Sequence, residues 1–215
     1  MTFEETHEPK TFEQLVFAED TVKQRLSDYA NGDRNRHLLI MGEHGMGKST
    51  MARIIALERL GSQLQAGNID VYTAVTLADN IKSNLLRISN GWCLQKMCGV
   101  SHPLAIVDEL HLLVPMAHQY RLRSFMDGAT HGSFIFTANH TGVIDAGIIN
   151  RCDVVDIKPL TRDCVLASCQ KILVSEGVVL SDAVVADLLD TTDWSWREIL
   201  RALEDAVVHY KRKVA

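Results

Sequence analysis

The apolar residues of this chain form short, nearly continuous runs that alternate with stretches of helical periodicity. Continuous runs are typical of parallel strands buried on both faces; they lie at residues 38–41, 71–75, 104–107 and 134–137, with a fifth, shorter run at 154–157. Helical spacing is found near residues 12–27, 48–60, 79–89 and 115–127. This alternation predicts an α/β fold, a parallel sheet with helices on both faces and a ligand site beyond the carboxyl ends of the strands.

The pattern changes after Pro159, where only helical periodicity remains. Amphipathic helices are predicted near residues 162–176, 181–190 and 195–212. The spacing of Ser195 and Glu198 resembles a capping box and predicts the start of the last helix. We therefore expect an α/β core over residues 1–159, followed by a small helical domain over residues 160–215.

Composition and charge narrow the class of protein. The 215 residues are 47% hydrophobic and 23% charged, the balance of a folded chain. The formal net charge is −5, which excludes a general polycation, so binding of nucleic acid would need a local basic surface. No run approaches the roughly 18 to 20 apolar residues of a membrane span, and the acidic start is unlike a signal peptide. We expect a cytoplasmic protein that does not bind a membrane.

The five cysteines are an odd number, which argues against a disulfide framework. A zinc site built from two pairs of cysteines is an alternative. The second pair, Cys164 and Cys169, falls on a predicted amphipathic helix, which disfavours that alternative.

The clearest motif lies between the first predicted strand and the helix after it, and consists of Gly42, Glu43, His44, Gly45, Met46, Gly47, Lys48, Ser49 and Thr50. It matches G-x4-G-K-S, in which glycines let successive backbone N–H groups point at a phosphate and the helix N-terminus adds partial positive charge. Lys48 is expected to reach the β- and γ-phosphates, and Ser49 to offer its hydroxyl to Mg²⁺. The alternative, a glycine-rich turn with a chance lysine, is disfavoured by the strand before the motif and the helix after it.

Polar side chains end two later strands. Asp108 and Glu109 follow the third apolar run, where an acid is placed to hold a magnesium ion and a second acid to accept a proton from the attacking water. We expect Asp108 on the metal side and Glu109 as the base. Asn139 follows the fourth run and is a candidate to bind the γ-phosphate or the water, although an asparagine in this place is often only a turn former.

These motifs and further stretches of the chain resemble the AAA+ ATPases, and within them the clamp-loader subunits of replication factor C type, over about residues 7–210. The stretches that carry the resemblance are 8–16, 119–126, 149–152, 156–160 and 194–200. The resemblance implies an AAA+ nucleotide-binding core over residues 1–159, a helical lid over residues 160–215, and ATP hydrolysis with Mg²⁺.

The resemblance also implies roles for individual residues. They are Walker A for residues 42–50, Walker B for Asp108 and Glu109, sensor 1 for Asn139, sensor 2 for Arg197, an arginine finger for Arg151, and an adenine pocket formed by Pro9, Val16 and Phe17. An arginine finger completes the site of a neighbouring subunit, so hydrolysis would depend on assembly. The alternatives are a surface ion pair for Arg151 and core packing for the three pocket residues.

The sequence departs from the clamp-loader pattern at several positions. Asn150 replaces the serine of Ser-Arg-Cys, Trp194 and Ser195 replace the Gly-Asp before sensor 2, and Asp-Glu-Leu-His replaces Asp-Glu-Ala-Asp. Clamp-loader subunits also carry a third, helical collar domain, whereas this sequence ends after the second domain.

The resemblance implies a homo- or hetero-oligomer formed through AAA+ interfaces, with DNA as a partner and a sliding clamp or another replication or recombination protein as a further one. Three basic residues lie near the second crossover, the segment between the second and third predicted strands. They are candidates for contacts with DNA phosphates: Lys82, Arg87 and Lys96. A nucleotide-gated adaptor, similar to helicase loaders and transposition regulators, is the alternative that uses the same residues. A small-molecule kinase would share the phosphate loop, but its reaction does not require Arg151 or a helical lid, which disfavours this third alternative.

Overall fold

The computed structural model describes residues 2–61, 69–129 and 132–214. The strands are β1 (His37–Met41), β2 (Asp70–Thr73), β3 (Leu104–Asp108), β4 (Ser133–Ala138) and β5 (Cys152–Asp156). The helices are α1 (Phe3–His7), α2 (Asp20–Ala30), α3 (Lys48–Leu60), α4 (Ala74–Asp79), α5 (Ile81–Met97), α6 (Met116–Gly128), α7 (Ala146–Ile149), α8 (Arg162–Ser175), α9 (Asp182–Leu189) and α10 (Trp196–Val214). Short 3₁₀ helices cover Phe12–Gln14 and Leu110–Leu112.

The strands form one parallel sheet in the order β2-β3-β4-β1-β5. The register places Leu39 of β1 beside Phe136 of β4 and Val154 of β5. Because all strands run the same way, the residues that follow β1, β3 and β4 meet at one edge of the sheet. The α/β class predicted from the alternating pattern is confirmed.

Successive side chains of the central strands enter two different hydrophobic clusters. Leu38 and Ile40 of β1 pack with residues of α2 and α3, whereas Leu39 between them packs with residues of α4, α5 and α6. Adjacent side chains of a strand point to opposite faces, so a sheet covered by helices on both faces needs apolar residues at every position. This requirement explains the continuous apolar runs of the sequence.

The helix predicted over residues 12–27 is wrong as a single element. A 3₁₀ helix covers Phe12–Gln14, and α2 begins only at Asp20. Between them, Leu15 is buried in the first cluster, while Val16 packs against a third cluster in the C-terminal helices. The chain is extended at Leu15, and successive side chains of an extended segment point to opposite sides, so these two neighbours reach different cores.

The second crossover also differs from its prediction. The strand predicted over residues 71–75 ends at Thr73, whose side chain accepts a hydrogen bond from Thr76 N and caps α4. Asn80 then separates α4 from α5 and accepts a bond from Ser83 N. The helix predicted over residues 79–89 is present as α5, which extends to Met97, and the separate helix α4 precedes it where the sequence pattern predicted the end of a strand. The capping side chains of Thr73 and Asn80 satisfy free N–H groups at the two helix starts.

The C-terminal helices α8, α9 and α10 surround the third cluster, which contains Val165, Leu173, Leu189 and Leu203. Their bounds agree closely with the predicted helices, whereas the domain boundary at residue 160 stays a prediction. All five cysteines are free thiols. Among the described residues, no helix is both long enough and apolar enough to span a membrane.

Candidate functional site

The phosphate loop connects the carboxyl end of β1 to the start of α3. Its glycines at positions 42, 45 and 47 have φ angles of 152°, 78° and 76°, values that residues with a side chain rarely adopt. At Gly42 a methyl group would also lie 2.8 Å from the carbonyl oxygen of Ile157, which follows β5. The loop therefore needs glycine both for its backbone conformation and for its close approach to the neighbouring chain segment.

Lys48 is the first residue of α3, and its side chain turns back over the loop. Its Nζ donates to the carbonyl oxygen of Glu43 at 2.6 Å, and the residue is buried. Burial lowers the pKa of Lys48, while the carboxylates of Asp108 and Glu109 act in the opposite direction. A desolvated ammonium group on a glycine-rich loop at a helix N-terminus is a site for a polyanion such as a triphosphate.

Asp108, the last residue of β3, accepts hydrogen bonds from hydroxyl groups of two other elements. Ser49 Oγ of α3 lies 2.9 Å from its Oδ1 and 2.8 Å from its Oδ2, and Thr137 of β4 also donates to Oδ1. Carboxylate and hydroxyl oxygens are the ligands that Mg²⁺ prefers. The oxygen atoms of Ser49 and Asp108 therefore fit a magnesium ion. The sequence predicts that these two residues bind the metal together.

Glu109 follows β3 in a left-handed backbone conformation, with φ 56° and ψ 44°. Its backbone N–H donates to Thr137 Oγ1 at 3.0 Å, so the same threonine holds both acidic residues. Residues other than glycine are uncommon in this left-handed conformation, so Glu109 marks a constrained position of the backbone. Sequence reasoning missed Thr137, because a threonine within a buried strand reads as ordinary β-branched packing.

Asn139 lies just beyond β4 and contacts two histidines. Its Nδ2 is 3.0 Å from Nε2 of His44 in the phosphate loop and 3.1 Å from Nε2 of His111. Its backbone N–H also points to Nδ1 of His111 at 3.4 Å. The sequence pattern assigns no role to His111, whose only signal is that it replaces the last acid of the Asp-Glu-Ala-Asp pattern.

Arg197 stands in the first turn of α10, directly against the phosphate loop. Its backbone N–H donates to the carbonyl oxygen of Gly45 at 3.3 Å. Ser195 caps the helix by accepting from Glu198 N at 3.3 Å, whereas its own N–H bonds to Asp193 Oδ1 at 2.8 Å. The predicted capping box is thus present in its first half, and it places Arg197 beside the loop.

These elements enclose a cavity of ≈ 420 Å³, within the size range of ligand pockets. The predicted residues that line it are His44, Gly45, Met46, Gly47, Lys48, Ser49, Thr50, Pro9, Val16, Asp108, Glu109, Asn139 and Arg197. Gly42 and Glu43 belong to the loop but do not line the cavity. Phe17, which the resemblance places in an adenine pocket, packs instead beside Phe12 in the first cluster, with ring centroids 5.6 Å apart.

Arg151 lies apart from this cavity. It immediately precedes β5, at the amino end of the sheet, while the cavity lies at the carboxyl ends. Its Nε donates to Asp127 Oδ1 at 2.5 Å and its Nη1 to the carbonyl oxygen of Gly147 at 2.6 Å. The hydrogen bond that Arg151 donates to the Asp127 carboxylate raises the pKa of the guanidinium group. The surface ion pair considered for Arg151 is therefore present, and the residue cannot reach the phosphate loop of its own chain.

Comparison with known proteins gives a family and several relatives. The model of the ATPase family associated with various cellular activities (AAA) matches residues 38–160. Replication factor C small subunit 1 of Pyrobaculum arsenaticum is 27% identical over 207 residues, which are 96% of this chain and 62% of that protein. The replication factor C small subunit of Natronomonas pharaonis is 28% identical over 209 residues, 95% of this chain and 62% of that protein. The chain thus spans less than two thirds of the length of these relatives.

Solved structures share the fold at lower sequence identity. The Holliday junction branch migration motor RuvB of Thermotoga maritima has a TM-score of 0.69 and 18% identity, over 98% of this chain and 68% of that chain. Domain III of the replication initiation protein DnaA of Thermotoga maritima has a TM-score of 0.67 and 15% identity, over 95% of this chain and 90% of that chain. Because the family match covers more than half of the chain and includes the phosphate loop, this chain belongs to the AAA ATPase family and is related to replication factor C small subunits.

Proposed function

We propose that this chain binds and hydrolyses ATP as one subunit of a DNA-associated oligomer, in the manner of a clamp-loader ATPase. The observation that carries the proposal is the meeting of Lys48, Ser49, Asp108, Glu109 and Asn139 around one cavity, from three separate stretches of the chain. A nucleoside triphosphate with its magnesium ion needs a cation, an oxygen-rich metal site and a base, and the cavity offers all three.

Each side chain then has a distinct task. Lys48 binds the β- and γ-phosphates, and Ser49 with Asp108 holds Mg²⁺, which would supply positive charge to the phosphate oxygens. Glu109 accepts the proton of the attacking water. Arg197 approaches the phosphates from the lid, so its position would report whether nucleotide is bound.

Arg151 serves a neighbouring subunit in this proposal. It lies at the end of the sheet opposite to its own cavity, so any catalytic contact must be with another chain. The side chain is 35% exposed, and its Asp127 partner is 54% exposed, so the pair is open to exchange with an incoming phosphate. Exposed ion pairs contribute little to stability and therefore cost little to break.

Support for assembly and DNA comes from the relatives and from α5. The similar proteins are named as small subunits of a replication factor, which are components of a larger assembly that acts in replication. Lys82, Arg87 and Lys96 of α5 are exposed, as contacts with DNA phosphates require. On a chain with a net charge of −5, such contacts must be local.

The test is ATP turnover by the wild-type chain and two variants, alone and mixed, with and without primed duplex DNA. Lys48→Ala should lose ATP binding, because the phosphates lose their principal side-chain cation. Arg151→Ala should bind ATP but turn it over on the order of 10³-fold more slowly, since the trans charge is missing. Mixing the two should restore activity, because one mixed interface combines an intact loop with an intact arginine.

Arg162→Ala is the matched control, since Arg162 is also an exposed arginine paired with an aspartate, Asp190. It should hydrolyse ATP normally. DNA should stimulate turnover at low salt, and the stimulation should fall as the ionic strength rises. ATP-dependent assembly without turnover would contradict the proposal and favour the nucleotide-gated adaptor. A mixture that stays inactive while mixed oligomers form would reject the trans role of Arg151.

A further inference from the structure

His111 is a buried titratable side chain at the edge of the cavity, and the proposed function does not use it. It lies in the 3₁₀ helix that follows Glu109, and its side chain is directed at Asn139. One ring nitrogen faces the backbone N–H of Asn139, and the other faces its side-chain amide. The two nitrogens of one ring therefore contact two groups of a single residue.

The backbone contact decides which ring nitrogen carries the proton. A backbone N–H is always a donor, so Nδ1 of His111 must accept from Asn139 N, which lies 3.4 Å away. In a neutral imidazole the proton is then on Nε2, which becomes a donor. Burial is the main cause that lowers the pKa of His111 and keeps the ring neutral, with His140, His44 and Lys48 acting in the same direction and Glu109 opposing them.

A donor at Nε2 in turn decides the orientation of the amide. The two ends of an amide have the same shape, so their hydrogen-bond partners determine which end is the oxygen. The end of the Asn139 amide that faces His111, which is named Nδ2 above, lies 3.1 Å from Nε2 of His111 and 3.0 Å from Nε2 of His44. The hydrogen bonds exchange the names of the two ends. An N–H donor there requires the amide oxygen at this end and turns the NH₂ group to the other side, away from the histidines.

We propose that His111 is a positioning residue that holds the Asn139 amide by its oxygen, so that its NH₂ group is presented as a donor to the γ-phosphate or the attacking water. The role of Asn139 rests on the proposed function, whereas the hydrogen bond itself does not. An aspartate, the residue of the clamp-loader pattern at this place, has no N–H and cannot donate to the amide oxygen. The hydrogen bond from His111 to the amide oxygen is therefore a property of the Asp-Glu-Leu-His sequence of this chain.

The hydrogen-bond pattern is testable without catalysis. Long-range ¹H–¹⁵N NMR spectra of the nucleotide-free chain distinguish a protonated ring nitrogen from an unprotonated one. We expect His111 to carry its proton on Nε2 at neutral pH, and a proton on Nδ1 would overturn the proposal. This result is independent of whether the protein hydrolyses ATP, so it separates a failure of the inference from a failure of the proposed function.

The consequence for function is tested with His111→Leu, His111→Asp and His111→Gln. Leucine and aspartate supply no donor, and kcat should fall about 10- to 100-fold, the effect of a misplaced group in a reacting site. The preference for a nonhydrolysable ATP analogue over ADP should fall as well, because only the former has a γ-phosphate, while ADP affinity and the thermal midpoint stay unchanged. Glutamine, whose amide can donate, should restore part of kcat.

His209→Ala is the control, since His209 is exposed on α10. It should match the wild type in all of these measurements. A wild-type kcat and analogue preference in His111→Leu would overturn the positioning role. So would a fall in kcat that is matched by an equal loss of ADP affinity and of thermal stability, because that pattern belongs to a structural residue.

Discussion

Gly45 joins the phosphate loop to the C-terminal helices, and a single methyl group there would disturb both. A Cβ at Gly45 would lie 2.9 Å from Ser195 Oγ, 3.1 Å from Ser195 Cβ and 3.3 Å from Arg197 Cβ. Contacts this short force the neighbouring atoms to move. We expect Gly45→Ala to push the start of α10 away from the loop and to move Arg197 from the cavity.

The size of the effect follows from two contributions. A left-handed residue with a side chain costs about 1–2 kcal/mol, and φ at Gly45 is +78°. Inserting a methyl group into a packed contact adds about 1–3 kcal/mol. Gly32, in the turn after α2, has φ +85° and no atom within 4 Å of an added Cβ, so Gly32→Ala carries the backbone contribution alone.

Thermal unfolding of the two variants measures the difference. For a chain of this size, each 1 kcal/mol lowers the midpoint by about 2–4 °C, so Gly45→Ala should unfold below Gly32→Ala by several degrees. Adding Ser195→Gly removes the colliding side chain and leaves a residue that is tolerated at a helix N-cap. The double variant should recover part of the loss. Equal midpoints for Gly45→Ala and Gly32→Ala would refute the contact between the loop and α10.

Further changes test the metal site, the base and the partly buried His37. Glu109→Gln should bind a nonhydrolysable ATP analogue as the wild type does but hydrolyse ATP about 10²- to 10⁴-fold more slowly, since an amide accepts no proton; normal turnover would mean that another base acts. Ser49→Ala removes a magnesium donor, so calorimetry should show that chelation of Mg²⁺ weakens ATP binding less in this variant than in the wild type; an equal effect would place the ion elsewhere. His37 Nδ1 accepts from Phe134 N at 3.0 Å, and burial lowers its pKa from 6.5 to about 4. The unfolded chain therefore binds this proton first, and stability should fall by up to about 3 kcal/mol as the pH falls from about 6.5 to about 4. Urea titrations across that range should show a shallower loss in His37→Asn, and parallel curves would count against this assignment.

Much of the fold could be predicted from the sequence because its signals are local. A strand covered on both faces is apolar along its whole length, and the runs in β1, β3 and β4 therefore match the observed strands closely. The phosphate loop is likewise contiguous, since one turn between a strand and a helix contains all of its glycines and Lys48. The C-terminal helices show the same locality, because each buries one periodic face against the third cluster.

Only the tertiary structure decided which of these local pieces meet. The insertion of β4 between β3 and β1 brings Thr137 to Asp108 and Asn139 to His111, pairs separated by 29 and 28 residues in the chain. The same folding divides residues 15–16 between two cores and directs Phe17 toward Phe12 rather than the cavity. Sequence periodicity describes one element at a time. These contacts depend instead on strand order and on the packing of elements that are distant in the chain, so the surroundings of a residue are set by its neighbours in space.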